Sequence, residues 1–352
     1  MTDLLNLLKE MLSASGLSGF EGPIREIIRE AWEPLTDELS ISKIGSLHGL
    51  KKGQGEQPRK RVLISAHMDA IGMMVTQVED GLMRVTEIGG LDHRILPGQP
   101  VTVHGRKDLP GIVVQPPGHL LPESAGDGPV EMTYLFIDVG LLPDEVAKLV
   151  RVGDTVSYAQ QPLELTGEAL AGHTLDNRVS VAATTLCLEA LQGRAHDWDV
   201  WAVASAQEEE TLGGALTSPF DIRPDIAIII DVCFAKGPGS SDWRSLPFGE
   251  GVGIGYGPNI HPALYDAFEK KAKELEIPYH RDLMPKMSGT DAMAVQIVAE
   301  GIPCAVLGIP LRYMHTPVET VSLKDIRRAG RLMAEFIADL EPDALDQINW
   351  EE

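Results

Sequence analysis

Apolar residues recur three and four positions apart at the start of the chain, at Leu4, Leu7, Leu8 and Met11, and again at Ile24, Ile27, Ile28 and Ala31. That period predicts two amphipathic helices, over about Leu4 to Ser13 and Pro23 to Trp32. A strand is expected near Glu38 to Lys43, and the apolar run Arg61 to Ala66 in "RVLISAHMDAIGMMV" predicts another. The pattern then changes. From about Gly72 to Leu165, short β-type runs alternate with turn residues in "GMMVTQVEDGLMRVTEI", "GQPVTVHG", "EMTYLFIDVG" and "GDTVSYAQ", the first carrying an Asp80-Gly81 hairpin signal. After Gly172 the α/β alternation resumes. Helices are expected at about Asn177 to Leu191, Pro262 to Leu275, Asp291 to Glu300 and Leu323 to Leu340, and strands at "DVWAVASA", "DIAIIID" and "CAVLGI". The glycine-rich "GVGIGYGPN" is expected to be a loop. Two α/β stretches flanking a β-rich one indicate an insertion, whose two junctions must lie close together.

Length and composition narrow the function classes. A chain of 352 residues is long enough for two domains. Its 52 acidic against 30 basic side chains give a formal net charge of -22, which repels a phosphate backbone, so nucleic acid is not expected as a partner. No apolar run approaches the roughly 20 residues a membrane helix requires, and "MTDLLNLLKEMLSAS" lacks the basic start and unbroken apolar stretch of an export signal. The expectation is a cytoplasmic protein without a membrane partner. Cys187, Cys233 and Cys304 are odd in number, far apart and set among apolar neighbours, as buried reduced thiols would be.

Chemistry enters where apolar strands end on polar residues. His67 and Asp69, two apart, would project from one face at the end of the strand Arg61 to Ala66. Four further places are loaded in the same way: Asp176 in "GHTLDNRVSVAA", Glu208 to Glu210 in "SAQEEETLGGA", Asp231 in "IIIDVCF" and His315 in "RYMHTPVET". Taken singly, His67 reads as a structural histidine, Asp176 as a helix N-cap and the glutamates as a solvated loop. Asp231 is harder to explain so, because a carboxylate after four apolar residues needs a partner to offset its desolvation. Ligands collect at the carboxyl ends of strands in open α/β sheets, so these residues can converge there. Two close divalent cations explain the set, and imidazole with oxygen donors suits zinc first, with cobalt or manganese as alternatives. A Gly-x-Ser-x-Gly turn is missing, and "GVGIGYG" lacks the following helix of a dinucleotide fingerprint.

At these residues the sequence resembles the tetrahedral aminopeptidases, which include glutamyl aminopeptidases and some proteins labelled endoglucanase or cellulase. "GLSGFE", "AHMDAIG", "LDNR", "QEE", "IIIDV", "SGTDA" and "IPLRYMHTPVE" carry the resemblance, in the family's order over nearly the whole chain. It implies an α/β fold: a catalytic α/β/α domain with a central mixed sheet (residues 1–69 and 166–352), interrupted by a small β-barrel-like dimerisation domain (70–165). It implies two divalent metal ions per subunit, one held by His67, Asp176 and Asp231, the other by Asp176, Glu209 and His315. Asp176 would be the bridge and Glu208 the general base acting on a water between the ions. Asp69 would orient His67. Ser288, Gly289, Thr290, Asp291 and Arg312 would shape the pocket for the first side chain. The substrates implied are short peptides with a free N-terminus, and the assembly a homo-oligomer of dimers building a tetrahedral dodecamer. The sequence departs from the family pattern at Ala70, where a glutamate is usual, and across Glu210 to Ala215, where a Gly-x-Arg-Gly stretch is usual.

Two other readings stay open from sequence. A dinuclear-metal deacylase of N-acylated amino acids would use the same centre, and a non-catalytic, metal-stabilised assembly protein would keep the metals but have no use for Glu208. A cellulase has less support, since 5 Trp and 6 Tyr give no clear sugar-stacking platform.

Overall fold

The first helix forms over Leu4–Ser13 in the computed structural model, which describes residues 2–123, 128–240 and 242–348. Asp3 starts it by accepting the Asn6 amide at 3.2 Å, and Leu8, Met11 and Leu12 face the core. The second helix, Gly22–Trp32, opens with Pro23 in its first turn, where a missing N–H costs nothing. Its last residue, Trp32, is fully buried and donates its indole N–H to Thr185 at 2.9 Å, which ties it to the long helix Leu175–Ala190.

One large mixed sheet positions the candidate residues. Four strands at its centre run parallel, in the order Asp199–Ser205, Arg61–His67, Ile226–Phe234 and Cys304–Arg312. Being covered on both faces, they are almost continuously apolar, as buried parallel strands must be. Leu47–Lys51 and Glu38–Ile41 extend one side, and Glu319–Ser322, Ala169–Gly172 and Leu163–Leu165 the other. Helices Leu175–Ala190 and Leu323–Ala338 pack together with the N-terminal helices, while Gly213–Ile222 and Ala292–Val295 form a second group.

Between Ala70 and Leu163 the chain builds a closed six-stranded antiparallel barrel. The strands run in the order Gly72–Glu79, Leu82–Ile88, Phe136–Asp138, Asp108–Val114, Pro100–His104 and Thr155–Tyr158. Met73, Val75, Met83, Val103, Ile137 and Val156 fill it as a core of its own. Its first and last strands pair at Met73 and Val156, so the chain enters and leaves at one place. The Asp80-Gly81 signal is a two-residue hairpin loop with φ of 48° and 84°, the left-handed pair that matches strand twist.

Two of the elements expected from sequence are corrected by the structure. "GVGIGYGPN" contains a strand, Val252–Tyr256, paired with Tyr279–Leu283 and Cys304–Arg312. Its glycines serve close packing rather than turning: a Cβ on Gly253 would meet Leu246 at 2.8 Å, and one on Gly255 would meet Val306 at 3.0 Å. The helix expected over Asp291 to Glu300 is a single turn, Ala292–Val295, since β-branched residues follow and Ala299 and Gly301 turn left-handed at φ of 56° and 98°. The three cysteines are buried and unpaired. Among the described residues no helix is long and apolar enough to cross a membrane.

Candidate metal centre

Strand ends supply most of the site. His67 is the last residue of Arg61–His67, and Asp231 lies in the second half of Ile226–Phe234. Glu208 and Glu209 open the short helix Glu208–Thr211 just past Asp199–Ser205. His315 follows Cys304–Arg312, and Asp176 sits in the first turn of Leu175–Ala190. The backbone bends sharply at these junctions: Thr174, Gln207, Tyr313 and His315 all have φ near 60°, a conformation that costs about 1 kcal/mol or more for a residue with a Cβ and clusters at functional sites. Strand periodicity gives no hint of it.

Asp176 lies between the two histidines. Its Oδ1 is 3.2 Å from His67 Nε2, and its Oδ2 is 3.3 Å from His315 Nε2. The N-cap position of that helix is Thr174 rather than Asp176, which lies within its first turn. On the His67 side, Asp231 is 3.8 Å and Glu208 3.7 Å from Nε2; on the other, Glu209 is 3.6 Å from His315 Nε2. Candidate ligand atoms of His67, Glu208 and Asp231 lie within 4.8 Å of one another, as do those of His67, Asp176 and Glu209. His315 is in neither triple and reaches the cluster through Asp176 and Glu209.

The rings are oriented by backbone carbonyls. His67 Nδ1 is 3.2 Å from the carbonyl of Asp69, and His315 Nδ1 is 2.7 Å from that of Gly90. With each Nδ1–H donated there, Nε2 is the ring nitrogen that faces Asp176: protonated it donates to that carboxylate, and deprotonated it would be the atom offered to a metal. The Asp69 carboxylate, expected to orient His67, stands 3.6 Å from its Nδ1 and also accepts the amides of Glu208 at 3.0 Å and Glu209 at 3.2 Å. It pins the turn that presents both glutamates.

Electrostatics favour a cation here. Burial, with the nearby acids, pushes Glu208 up to about 8 against the pull of His67. Burial and then Asp176 push Glu209 up to about 7. Asp231 is raised well above the carboxylate range, again by burial first. Asp176 is the exception: burial works against its ionisation, but hydrogen bonds from His315 and His67 hold it below the usual range. The imidazoles take up protons in exchange, His315 to about 9 through its bond to Asp176, and His67 well above its ordinary value despite burial. Two divalent cations would replace those protons and neutralise the carboxylates together. The donor set of imidazole nitrogens and carboxylate oxygens fits zinc, cobalt or manganese. Cys233 borders the cavity, but burial first, then Asp282, keeps its thiol protonated.

A cavity of about 600 Å³ opens onto His67, Asp176, Glu208, Glu209, Asp231 and His315. Ser288, Gly289 and Thr290 line it too. Two other pocket candidates stand elsewhere. Asp291 is buried under the site, accepting the hydroxyls of Ser65 and Ser205 at 2.6 Å each. Arg312 donates to the Lys236 carbonyl at 2.8 Å and lies over the Phe248 ring, off the cavity lining.

Comparison with known proteins shows the family. The profile of the M42 glutamyl aminopeptidase family matches residues 45–332. The chain belongs to that family. Lysyl aminopeptidase of Pyrococcus furiosus is 34% identical over 342 residues, covering 96% of this chain and 97% of its own length. The TET aminopeptidase from Thaumarchaeota archaeon SCGC AB-539-E09 superposes with a TM-score of 0.92 at 30% identity, covering 98% of this chain and 99% of that one. The TET1 peptidase of Pyrococcus horikoshii, which can assemble into a tetrahedron or a large octahedral shell, gives 0.83 at 27% identity over 96% and 100% of the two chains. Family membership makes the protein a hydrolase of the aminopeptidase class.

Several residues of this M42 site carry no obvious label in the sequence. Glu319, fully within the core, accepts the Asp176 amide at 3.1 Å and the His315 amide at 2.9 Å, so one carboxylate holds both backbones. Glu21 accepts the Gly19 amide at 2.7 Å and the Gln207 amide at 3.1 Å, steadying the residue before Glu208. Both lie inside stretches that carried the resemblance, "IPLRYMHTPVE" and "GLSGFE", which was the available signal. At the departures, Glu210 accepts the Gly89 amide at 2.5 Å, joining the glutamate turn to the barrel, and Ala70 is hydrogen-bonded to Gly16 and Ser18.

Proposed function

We propose that the protein is a dinuclear metallo-aminopeptidase that removes the N-terminal residue from short peptides. The observation that carries this is Asp176, whose two oxygens face one imidazole each. His67, Asp176 and Asp231 would hold one ion and Asp176, Glu209 and His315 the other, with zinc first and cobalt or manganese as alternatives. Bound there, the ions supply Lewis acidity toward a water and the scissile carbonyl. Glu208 accepts the proton of the attacking water and returns it to the departing amine. Asp69, by holding the Glu208 amide, fixes where that carboxylate points. The acidic cluster favours the free α-ammonium group, which restricts cleavage to the first residue.

The division into a catalytic domain (residues 1–69 and 166–352) and an inserted dimerisation domain (70–165) belongs to the same proposal. Ile112, Leu142 and Val152 are exposed on the insert and offer apolar surface for a second copy. Dimers would assemble further into a tetrahedral dodecamer, which size-exclusion chromatography with light scattering measures directly.

The decisive test is Glu208→Gln. It keeps the shape of the side chain and removes the base, so kcat should fall on the order of 10³-fold while two ions per subunit remain bound. Undiminished turnover would put the base elsewhere.

A further inference from the structure

One wall of the site cavity carries a carboxylate that the proposed chemistry does not use. Asp282, on the strand Tyr279–Leu283, lines the cavity and is only 8% exposed. Among the described residues, no side chain or backbone group forms a hydrogen bond or ion pair with its carboxylate, and burial is the one influence on its ionisation. Burial pushes it up to about 6, and a cation beside it would favour its ionised form. A buried carboxylate without a partner is costly, and a cavity open to it supplies the place for one.

Glycines give that carboxylate its reach. A Cβ on Gly253 would come within 3.4 Å of Asp282 Cβ, and one on Gly308 within 3.4 Å of Asp282 Oδ2. The side chain thus leans back over Val252–Tyr256 to Gly308. Gly308 is the register partner of Asp231 in the parallel ladder. The same Cβ on Gly308 would meet Cys233 Sγ at 2.8 Å, so the Cys233 thiol fills the space over Gly308 beside Asp282 Oδ2, on the strand that carries Asp231. A substrate whose α-amino group sits at the acidic cluster would lay its first side chain over Cys233 toward Asp282.

We propose that Asp282 selects a basic first residue, pairing its carboxylate with the ammonium of an N-terminal lysine or the guanidinium of an arginine. This rests on the aminopeptidase reading of the site. A four-carbon stem crosses apolar floor, and only its end meets charge, which suits a side chain with an apolar body and a cationic tip. Two cationic residues also border the cavity. Arg244 is already paired with Asp242 at 2.6 Å, and Lys286 is exposed at the rim.

The test compares lysyl, arginyl, leucyl and glutamyl p-nitroanilides with the wild-type holoenzyme, Asp282→Asn and Asp282→Glu. The wild type should prefer the basic pair. In Asp282→Asn the lysyl-to-leucyl ratio of kcat/KM should fall on the order of 10²-fold, and Asp282→Glu, which keeps the charge, should retain the preference. An equal fall for all substrates would make Asp282 structural, and a wild-type preference for glutamyl would hand selection to Lys286; either overturns the proposal. Calorimetry with L-lysine and L-norleucine, which share a stem but not the charge, gives a readout apart from turnover. Wild type should bind lysine more tightly, and Asp282→Asn should erase the difference. Were no anilide cleaved, the aminopeptidase reading would fail, while the lysine-norleucine comparison would still decide the role of Asp282.

Discussion

The two histidines of the site are held by different kinds of structure. His67 ends a strand in the middle of the sheet, in register with Ser205 of the neighbouring parallel strand and only 2% exposed. His315 sits on a turn at φ 61° with 35% of its side chain exposed, positioned by Glu319 beneath and by the Gly90 carbonyl from the barrel side. One half of the candidate centre is thus a product of the sheet. The other is assembled from three separate stretches of chain, so its geometry depends on a few individual contacts. Asp176, with its backbone held by Glu319, is where the halves meet.

This contrast makes the halves fail differently. Removing either imidazole should lower kcat/KM on the order of 10³-fold, because each proposed ion contributes several kcal/mol to the transition state. Stability should separate them. His67→Ala empties a fully enclosed position and leaves Asp176 and Asp231 facing each other without compensation, at a cost of about 3 kcal/mol, whereas His315→Ala should change the melting temperature little. Equal melting losses would erase the distinction. Glu319→Gln comes next: it keeps one acceptor and loses the other, so metal affinity should drop about 10- to 100-fold, measured by competition with a chelator. The loss should be larger for the ion that His315 would hold, because Asp176 serves both, and an equal loss of both would show that the halves are not independent. The smallest effect belongs to Gly90→Ala, whose Cβ would approach His315 Nδ1 to 3.1 Å and tilt the ring. A fall in kcat/KM of about tenfold or less is expected, with thermal stability unchanged.

The same contrast explains what the sequence disclosed. Residues whose role follows from strand periodicity were legible: "RVLISAH" and "IIIDV" announce a strand ending on a polar group, and the sheet delivers His67 and Asp231 there. The barrel was legible as a change of texture, with its hairpin read from Asp80-Gly81. Val252–Tyr256 was hidden because its glycines resemble loop punctuation, although close packing demands them. The supports of His315 were hidden for another reason. A backbone carbonyl such as that of Gly90 has no side chain to betray it, and Glu319 has no local pattern that separates a buried acceptor from a surface glutamate.

By itself the sequence determined the kinds of element, their order, the interruption by a β-rich module and the chemical character of the strand ends, because hydrophobic period and turn chemistry are local properties. Only the tertiary structure decided which oxygen of Asp176 meets which imidazole, that the Asp69 carboxylate holds the glutamate turn, and that Asp282 faces the cavity with no partner among the described residues. Those are distances between residues far apart in the chain. They are set by sheet order and packing, which no local period encodes.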